Sequence, residues 1–267
     1  MSPLLSKASP YGREIVKVTP ASAGWQYVGF EAYRLRAGEA LSWLEDNREC
    51  CAVILSGKVD AEIPGKHWVG IGERRSVFEE TGPYAVYVPP GMPLSLTALS
   101  DAEVAFCSAP SHVGHPARLI EPDSQRRSVR GVGSNTRYVY DILPQTDPAD
   151  ALLVVEVRTP ASHSSSYPPH KHDRDALPEE SSLEETYYHR INPPQGFAYQ
   201  RVYTDDRSLD ETMAVEDHDV VRVPRGYHPV TMPHGYEGYY LNVMAGPHRA
   251  WHFQNDPAHA WLMGKVL

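Results

Sequence analysis

Short apolar runs, most of them closed by glycine or proline, recur along the whole chain. Residues 31–36 (EAYRLR) alternate apolar and polar, as a half-buried strand does. Residues 51–55 (CAVIL) are apolar throughout, which predicts a strand buried on both faces, and Ser56-Gly57 marks the turn after it. Lys58 to Ile63 alternates again, and 84–88 (YAVYV) ends at Pro89-Pro90-Gly91. Residues 94–98 and 102–108 complete the first series. A second series runs through 152–158 (LLVVEVR), 200–204 (QRVYT), 220–223 (VVRV) and 239–245 (YYLNVMA), with a turn at 205–208 (DDRS). Serial short strands with Gly/Pro turns predict an all-β sandwich or barrel.

The two series match each other. Val88-Pro89-Pro90-Gly91-Met92-Pro93 and Val223-Pro224-Arg225-Gly226-Tyr227-His228 both read V-P-x-G-x, with proline in one copy where histidine stands in the other. Their order predicts one architecture built twice. Residues 1–110 are expected to form the first barrel and 138–267 the second. Residues 111–137, with Pro116, Pro122 and the basic Arg118, Arg126, Arg127, Arg130 and Arg137, read as a linker. Residues 1–24 read as an extended lead-in, punctuated by Pro3, Pro10 and Pro20. His112 and His115 are spaced HxxH but have no carboxylate or cysteine near them in sequence, so they read as a surface loop.

Composition narrows the function classes. A formal charge of -9 argues against general nucleic-acid affinity. Sixteen tyrosines, 24 prolines and 19 glycines favour strands and turns over helices. The three cysteines, Cys50, Cys51 and Cys107, do not suggest a disulfide framework. No apolar run of signal-peptide length occurs near residue 1 and none approaches the roughly 18 residues of a membrane span, so a reducing cytoplasm is the expected location, with no membrane partner.

The chemistry concentrates in the second half. His170 and His172 flank Lys171, and in an extended strand both imidazoles face one way. Pro168 and Pro169 exclude a helix before them. Glu184 and Glu185 follow on a strand-forming run, LEETYY at 183–188, and His228 sits after Val223-Pro224-Arg225-Gly226. Two histidines, a carboxylate and a distant third histidine make a mixed nitrogen–oxygen set suited to one divalent metal ion, zinc first, with manganese, iron or nickel also compatible. No HxH precedes Gly57, where only Leu41-Ser42-Trp43 stands, so the first barrel is expected to carry no metal ligands.

HxH, a strand glutamate and PxGxH resemble the two signature motifs of the cupin superfamily, and two such halves resemble a bicupin. Residues 169–173 (PHKHD), 183–190 (LEETYYHR), 192–197 (NPPQGF), 200–210, the VPxGYHPV segment, 239–247 and the tail His259-Ala260-Trp261 resemble, more closely, the 5-deoxy-glucuronate isomerases of bacterial inositol catabolism. The first half does so more loosely, through 24–30 (GWQYVGF). The resemblance implies an aldose–ketose isomerisation of a small sugar acid, 5-deoxy-D-glucuronate becoming 2-deoxy-5-keto-D-gluconate; a homo-oligomer is expected, though the sequence does not reveal the assembly. It also implies kinship with a metal-dependent uronate ketol-isomerase. Carried over by position, the ligands are His170, His172, Glu185 and His228. Two departures stand out: residues 173–184 intervene between HxH and the glutamate, and Ser164 replaces a usual glycine.

With Glu185 facing inward, period two turns Tyr187 and His189 inward too, either for proton transfer and hydroxyl binding or simply to pack the barrel. The substrate carboxylate calls for a cation, with Arg201, Arg222 and Lys171 on the right strands and Arg201 the first choice. The acidic insertion 173–182 reads as a mobile lid or a plain disordered loop. The same ligand set also suits another sugar-acid cupin enzyme, an iron-dependent dioxygenase or a non-catalytic sugar-binding cupin.

Overall fold

The structure, a computed structural model, describes residues 2–263. The chain divides into two compact units, Ser9–Arg126 with Asp141–Val154, and Met1–Ala8, Arg127–Tyr140 with Val155–Leu267. Strands dominate both, and no helix among the described residues is long and apolar enough to cross a membrane.

In the first unit a six-stranded antiparallel sheet runs in the order Arg118–Ile120, Tyr84–Val88, Arg48–Ser56, Ala102–Pro110, Gly29–Leu35, Glu14–Val18. A four-stranded sheet, Ala40–Trp43, Leu94–Ala98, Val59–Ile63, Lys66–Ile71, supplies the other wall. Cys50, Ala52, Ile54, Val86, Val88, Val104 and Phe106 from the first sheet meet Leu94, Leu96, Val59 and Ala61 from the second in one apolar core. The run at 51–55 is continuous because Cys51, Val53 and Leu55, on the opposite face, are buried as well. That opposite face also carries a buried polar staple. The Glu49 carboxylate accepts the backbone N–H groups of Asp150 (2.9 Å), Ala151 and Leu152 (both 2.7 Å) and the Tyr87 hydroxyl (2.6 Å), so the buried acid is fully hydrogen-bonded.

The second unit is built on a seven-stranded sheet in the order Leu5–Ser6, Val220–Val223, Glu184–Asn192, Glu237–Ala245, Leu153–Thr159, Arg137–Leu143, Arg126–Arg130. Its four-stranded partner is Ser164–Ser165, Val230–Thr231, Phe197–Tyr203, Asp210–Glu216. The strand order repeats that of the first unit: Tyr84–Val88, Arg48–Ser56, Ala102–Pro110 and Gly29–Leu35 correspond to Val220–Val223, Glu184–Asn192, Glu237–Ala245 and Leu153–Thr159. Register agrees too, since Cys50 lies opposite Val88 and Glu185 opposite Val223. The all-β architecture made of two like barrels is therefore present.

Three expectations need correcting. Residues 1–24 are more than a lead-in: Leu5–Ser6 pairs with Val221 and Val220, and Glu14–Val18 pairs with Gly29–Leu35. Between Val18 and the next strand, Thr19 and Ser22 cap a single turn of helix, Pro20–Ala23, reciprocally. Residues 111–137 contain the edge strands Arg118–Ile120 and Arg126–Arg130, and the division into units does not fall at 110 and 138. Edge strands need little apolar pattern, which is why arginine and proline there resembled a linker. The insertion at 173–182 is an ordered hairpin, Asp173–Ala176 against Glu180–Ser182. Buried Glu180 holds it, accepting the Asp173 N–H (2.9 Å) and Arg174 Nε (3.0 Å). His112 and His115 do lie in a loop, where the Asp150 carboxylate accepts the His112 N–H at 2.6 Å.

Candidate metal centre

Strand alternation places the first two candidate ligands. His170–Lys171 pairs with Gln254–Asn255, and Lys171 turns away from its neighbours to Asp205 (2.5 Å) and Asp173 (3.2 Å). His172 Nδ1 donates to the Leu183 carbonyl at 3.2 Å. His228 Nδ1 donates to the Gly226 carbonyl at 2.8 Å. A carbonyl can only accept, so both rings carry a proton on Nδ1 and turn Nε2 inward, that of His228 without a hydrogen-bond partner and that of His172 hydrogen-bonded to Glu185. Those two nitrogens lie 3.1 and 3.2 Å from the same oxygen, Glu185 Oε2. The His170 ring stands 4.7 Å from the His228 ring and 6.2 Å from that of His172. One ligand atom from each of the three imidazoles falls within 4.8 Å of the others, a grouping that can hold a metal ion.

Two observations test the fit. His228 Nε2 is buried without a hydrogen-bond partner, because Glu185 Oε2 is near but poorly aligned. A buried orphan of this kind costs on the order of 1–3 kcal/mol, which coordination relieves. Burial also pushes the His228 pKa down to about 4 and that of His170 well below its ordinary value. Both are therefore neutral near pH 7, the form a metal ion needs. Burial lowers His172 as well, but its hydrogen bond and proximity to Glu185 outweigh that and raise it. The residues present fit a divalent ion.

Glu185 is buried on the side of the strand Glu184–Asn192 that faces these rings, and Glu184 is half-buried on the other side. Tyr187 and His189 follow Glu185 inward. The Tyr187 hydroxyl is 2.9 Å from Ser166 Oγ and its ring 5.7 Å from the His228 ring. His189 stacks on Tyr187 at 6.0 Å and bonds Gln200 Oε1 through Nε2 at 2.8 Å. Burial holds its pKa at about 4.

The cations expected at the site are not brought to it. Arg201 faces outward because its neighbour Gln200 faces inward. It forms a two-pronged ion pair with Asp210 (2.7 and 2.6 Å) and lies over the Tyr203 ring. Arg222 donates to the Pro3 carbonyl, and Lys171 is held by its two aspartates. Two arginines from the supposed linker stand near instead. Arg137 donates through Nη1 to the carbonyls of Asn135 (3.0 Å) and Tyr167 (3.3 Å), and Arg130 lies over the Trp251 ring at 5.3 Å. The charges of both act on His170. The basic excess of that stretch in an acidic chain was their only signal. Phe253, 4.7 Å from the His170 ring, and Tyr240, 4.8 Å from that of Tyr187, complete the surroundings.

Relatives with the same layout are known. The chain is 57% identical over 253 residues to the 5-deoxy-glucuronate isomerase of Geobacillus kaustophilus, covering 95% of this chain and 92% of that one. It is 50% identical over 248 residues to the Bacillus subtilis strain 168 protein of the same name, covering 92% of each. A crystal structure of an IolB-like protein from Salmonella typhimurium LT2 superposes with a TM-score of 0.96 at 50% identity, covering 97% of this chain and 98% of that one. The oxalate decarboxylase of Lactobacillus farciminis, in its formate complex, matches at TM-score 0.66 and 12% identity over 96% of this chain and 89% of its own, a likeness of bicupin fold alone. The model of the KduI/IolB family matches residues 4–262, and the chain belongs to that family.

Proposed function

We infer that this protein is an isomerase that converts the aldose 5-deoxy-D-glucuronate into the ketose 2-deoxy-5-keto-D-gluconate. The observation that carries this reading is the 57% identity, over nearly the whole chain, to a 5-deoxy-glucuronate isomerase. The imidazole triad, with His172 and His228 buried and His170 half-buried, agrees with it.

His170, His172 and His228, with Glu185 as the fourth ligand, would hold one divalent ion. When bound, such an ion supplies Lewis acidity, polarising a carbonyl and stabilising negative charge on adjacent oxygens. The chain does the rest. Hydrogen bonds to Leu183 and Gly226 hold Nδ1 of His172 and His228, so Nε2 of each ring is the atom turned toward the ion site. Burial keeps the Tyr187 hydroxyl protonated far above neutral pH, so it serves as a hydrogen-bond donor toward a sugar oxygen rather than as a base. His189, neutral and locked by Gln200, backs the Tyr187 ring as a positioning residue. Buried Tyr240 packs on Tyr187 and Phe253 packs on His170, giving the site an aromatic side.

The three cysteines are buried and unpaired, which suits a reducing cytoplasm. Assembly into a homo-oligomer is part of the same reading, and light scattering tests it. The function is tested by assaying metal-stripped and metal-reloaded protein on 5-deoxy-glucuronate. Turnover should vanish on stripping and return with a divalent ion. Absence of turnover in every metal-loaded form would overturn the reading.

A further inference from the structure

We propose that Arg137, backed by Arg130, is the residue that receives the carboxylate of the sugar acid and so sets the enzyme's preference for uronates. The proposal rests on the isomerase reading above, and it names a binding role that neither the motifs nor the metal triad supplies.

A sugar acid presents two recognition problems. The carbonyl end belongs at the metal centre, and the carboxylate at the far end needs a cation. Arg201 is committed to Asp210, Lys171 to Asp205 and Asp173, and Arg222, paired with Thr186, lies on the face of the sheet away from Glu185. Arg137 differs from all three. It is half-buried, and it bonds through one nitrogen, Nη1, to two carbonyls. Among the described residues no carboxylate pairs with it. A guanidinium offers five donors in a planar fork that matches a carboxylate two-to-two, so most of that fork remains for a ligand.

Its position is tied to the metal centre through the backbone. The Tyr167 carbonyl that anchors Arg137 also accepts Asn135 Nδ2 at 2.7 Å, and from Tyr167 the chain runs through Pro168-Pro169 directly into His170. Arg130 reaches the same place by another route. Its guanidinium covers Trp251, Trp251 packs on Phe253 (6.2 Å), and Phe253 packs on His170 (4.7 Å). The two arginines repel each other, and both act on His170, while Arg137 is also felt by Tyr187 and Tyr240. Burial and that repulsion together lower the Arg137 pKa. A half-buried guanidinium without a carboxylate partner is stabilised by an anion, and a second arginine whose charge acts on the same histidine adds to that attraction. A carboxylate bound there would hold the substrate with its other end toward the imidazoles.

The test pairs kinetics with a turnover-independent measurement, using the metal-loaded full chain and its Arg137→Met and Arg137→Lys variants. Calorimetry with D-glucuronate reads binding of a sugar carboxylate directly. Affinity should fall about 10- to 100-fold in Arg137→Met and less in Arg137→Lys, with one metal per chain retained. In the isomerase assay, Arg137→Met should raise KM for 5-deoxy-glucuronate by a similar factor. It should leave the rate on 5-deoxy-glucose, which has an alcohol in place of the carboxylate, almost unchanged. Equal losses on both sugars, unchanged glucuronate binding in Arg137→Met, or no glucuronate binding to the unaltered protein would each overturn the proposal. If the unaltered protein binds glucuronate through Arg137 but does not turn over 5-deoxy-glucuronate, the isomerase reading fails and the carboxylate site stands.

Discussion

Single side chains decide this site through their direction. Glu185 lies within 3.1–3.2 Å of two imidazole nitrogens, and Glu184, one residue earlier, faces the other way. His228→Ala should therefore cut metal occupancy sharply, as measured by elemental analysis after gel filtration. Full occupancy would shift the third ligand elsewhere, with His234 the first residue to examine. His189 gives a pH prediction for the metal-free protein. Its folded pKa of about 4 lies below the ordinary 6.5, so the unfolded chain binds the proton more tightly. Its contribution is complete above about pH 6.5 and is lost as pH falls toward about 4, by on the order of 3 kcal/mol. Chemical denaturation of His189→Gln across that range should show a shallower slope than the unaltered protein, and identical slopes would remove His189 as the cause. The histidines were legible in the sequence because HxH and PxGxH keep their spacing on any strand. The cations were not. Arg201 lies on the expected strand but in the outward phase, and Arg137 lies in a stretch with no apolar rhythm to mark it as a strand.

At the scale of elements, the turn before His228 matters as much as the histidine. Gly226 has a φ of +90°, and a Cβ there would come within 2.5 Å of the Tyr203 carbonyl oxygen. Its N–H donates to Asp173 (3.0 Å) and its carbonyl accepts His228 Nδ1, so one residue joins the HxH hairpin to the third ligand. Gly226→Ala should lower stability by about 1–3 kcal/mol and weaken metal binding about 10- to 100-fold. Thermal unfolding with a chelator competition assay checks both, and unchanged metal affinity would show that the turn does not orient the ring. The long central strands were plain from their apolar runs. The hairpin Asp173–Ala176/Glu180–Ser182 was hidden, because its order comes from one buried acid, Glu180, rather than from apolar content.

Across the whole molecule, two copies of one strand order have diverged at the positions that carry chemistry. Cys50 occupies the register position of Glu185, and Pro93 stands in the repeat where His228 does. Burial pushes the Cys50 thiol well above its ordinary pKa, leaving a packed apolar group rather than a ligand or nucleophile. Cys50→Ala should cost on the order of 1 kcal/mol through the cavity it leaves, with kcat and metal content intact. A selective loss of turnover would give the first barrel a catalytic part. The duplication was readable from V-P-x-G-x together with the common order of the short strands, while the division into units was not, since edge strands such as Leu5–Ser6 lie far in sequence from the strands they pair with.

The most direct measurement is a titration of the metal-stripped protein with a divalent ion, following bound metal per chain and turnover of 5-deoxy-glucuronate together. Activity should rise in step with occupancy and saturate at one ion per chain, and His228→Ala should show neither. Turnover that survives complete stripping, or that appears only after a second tightly bound ion, would contradict catalysis at a single centre built from His170, His172, Glu185 and His228.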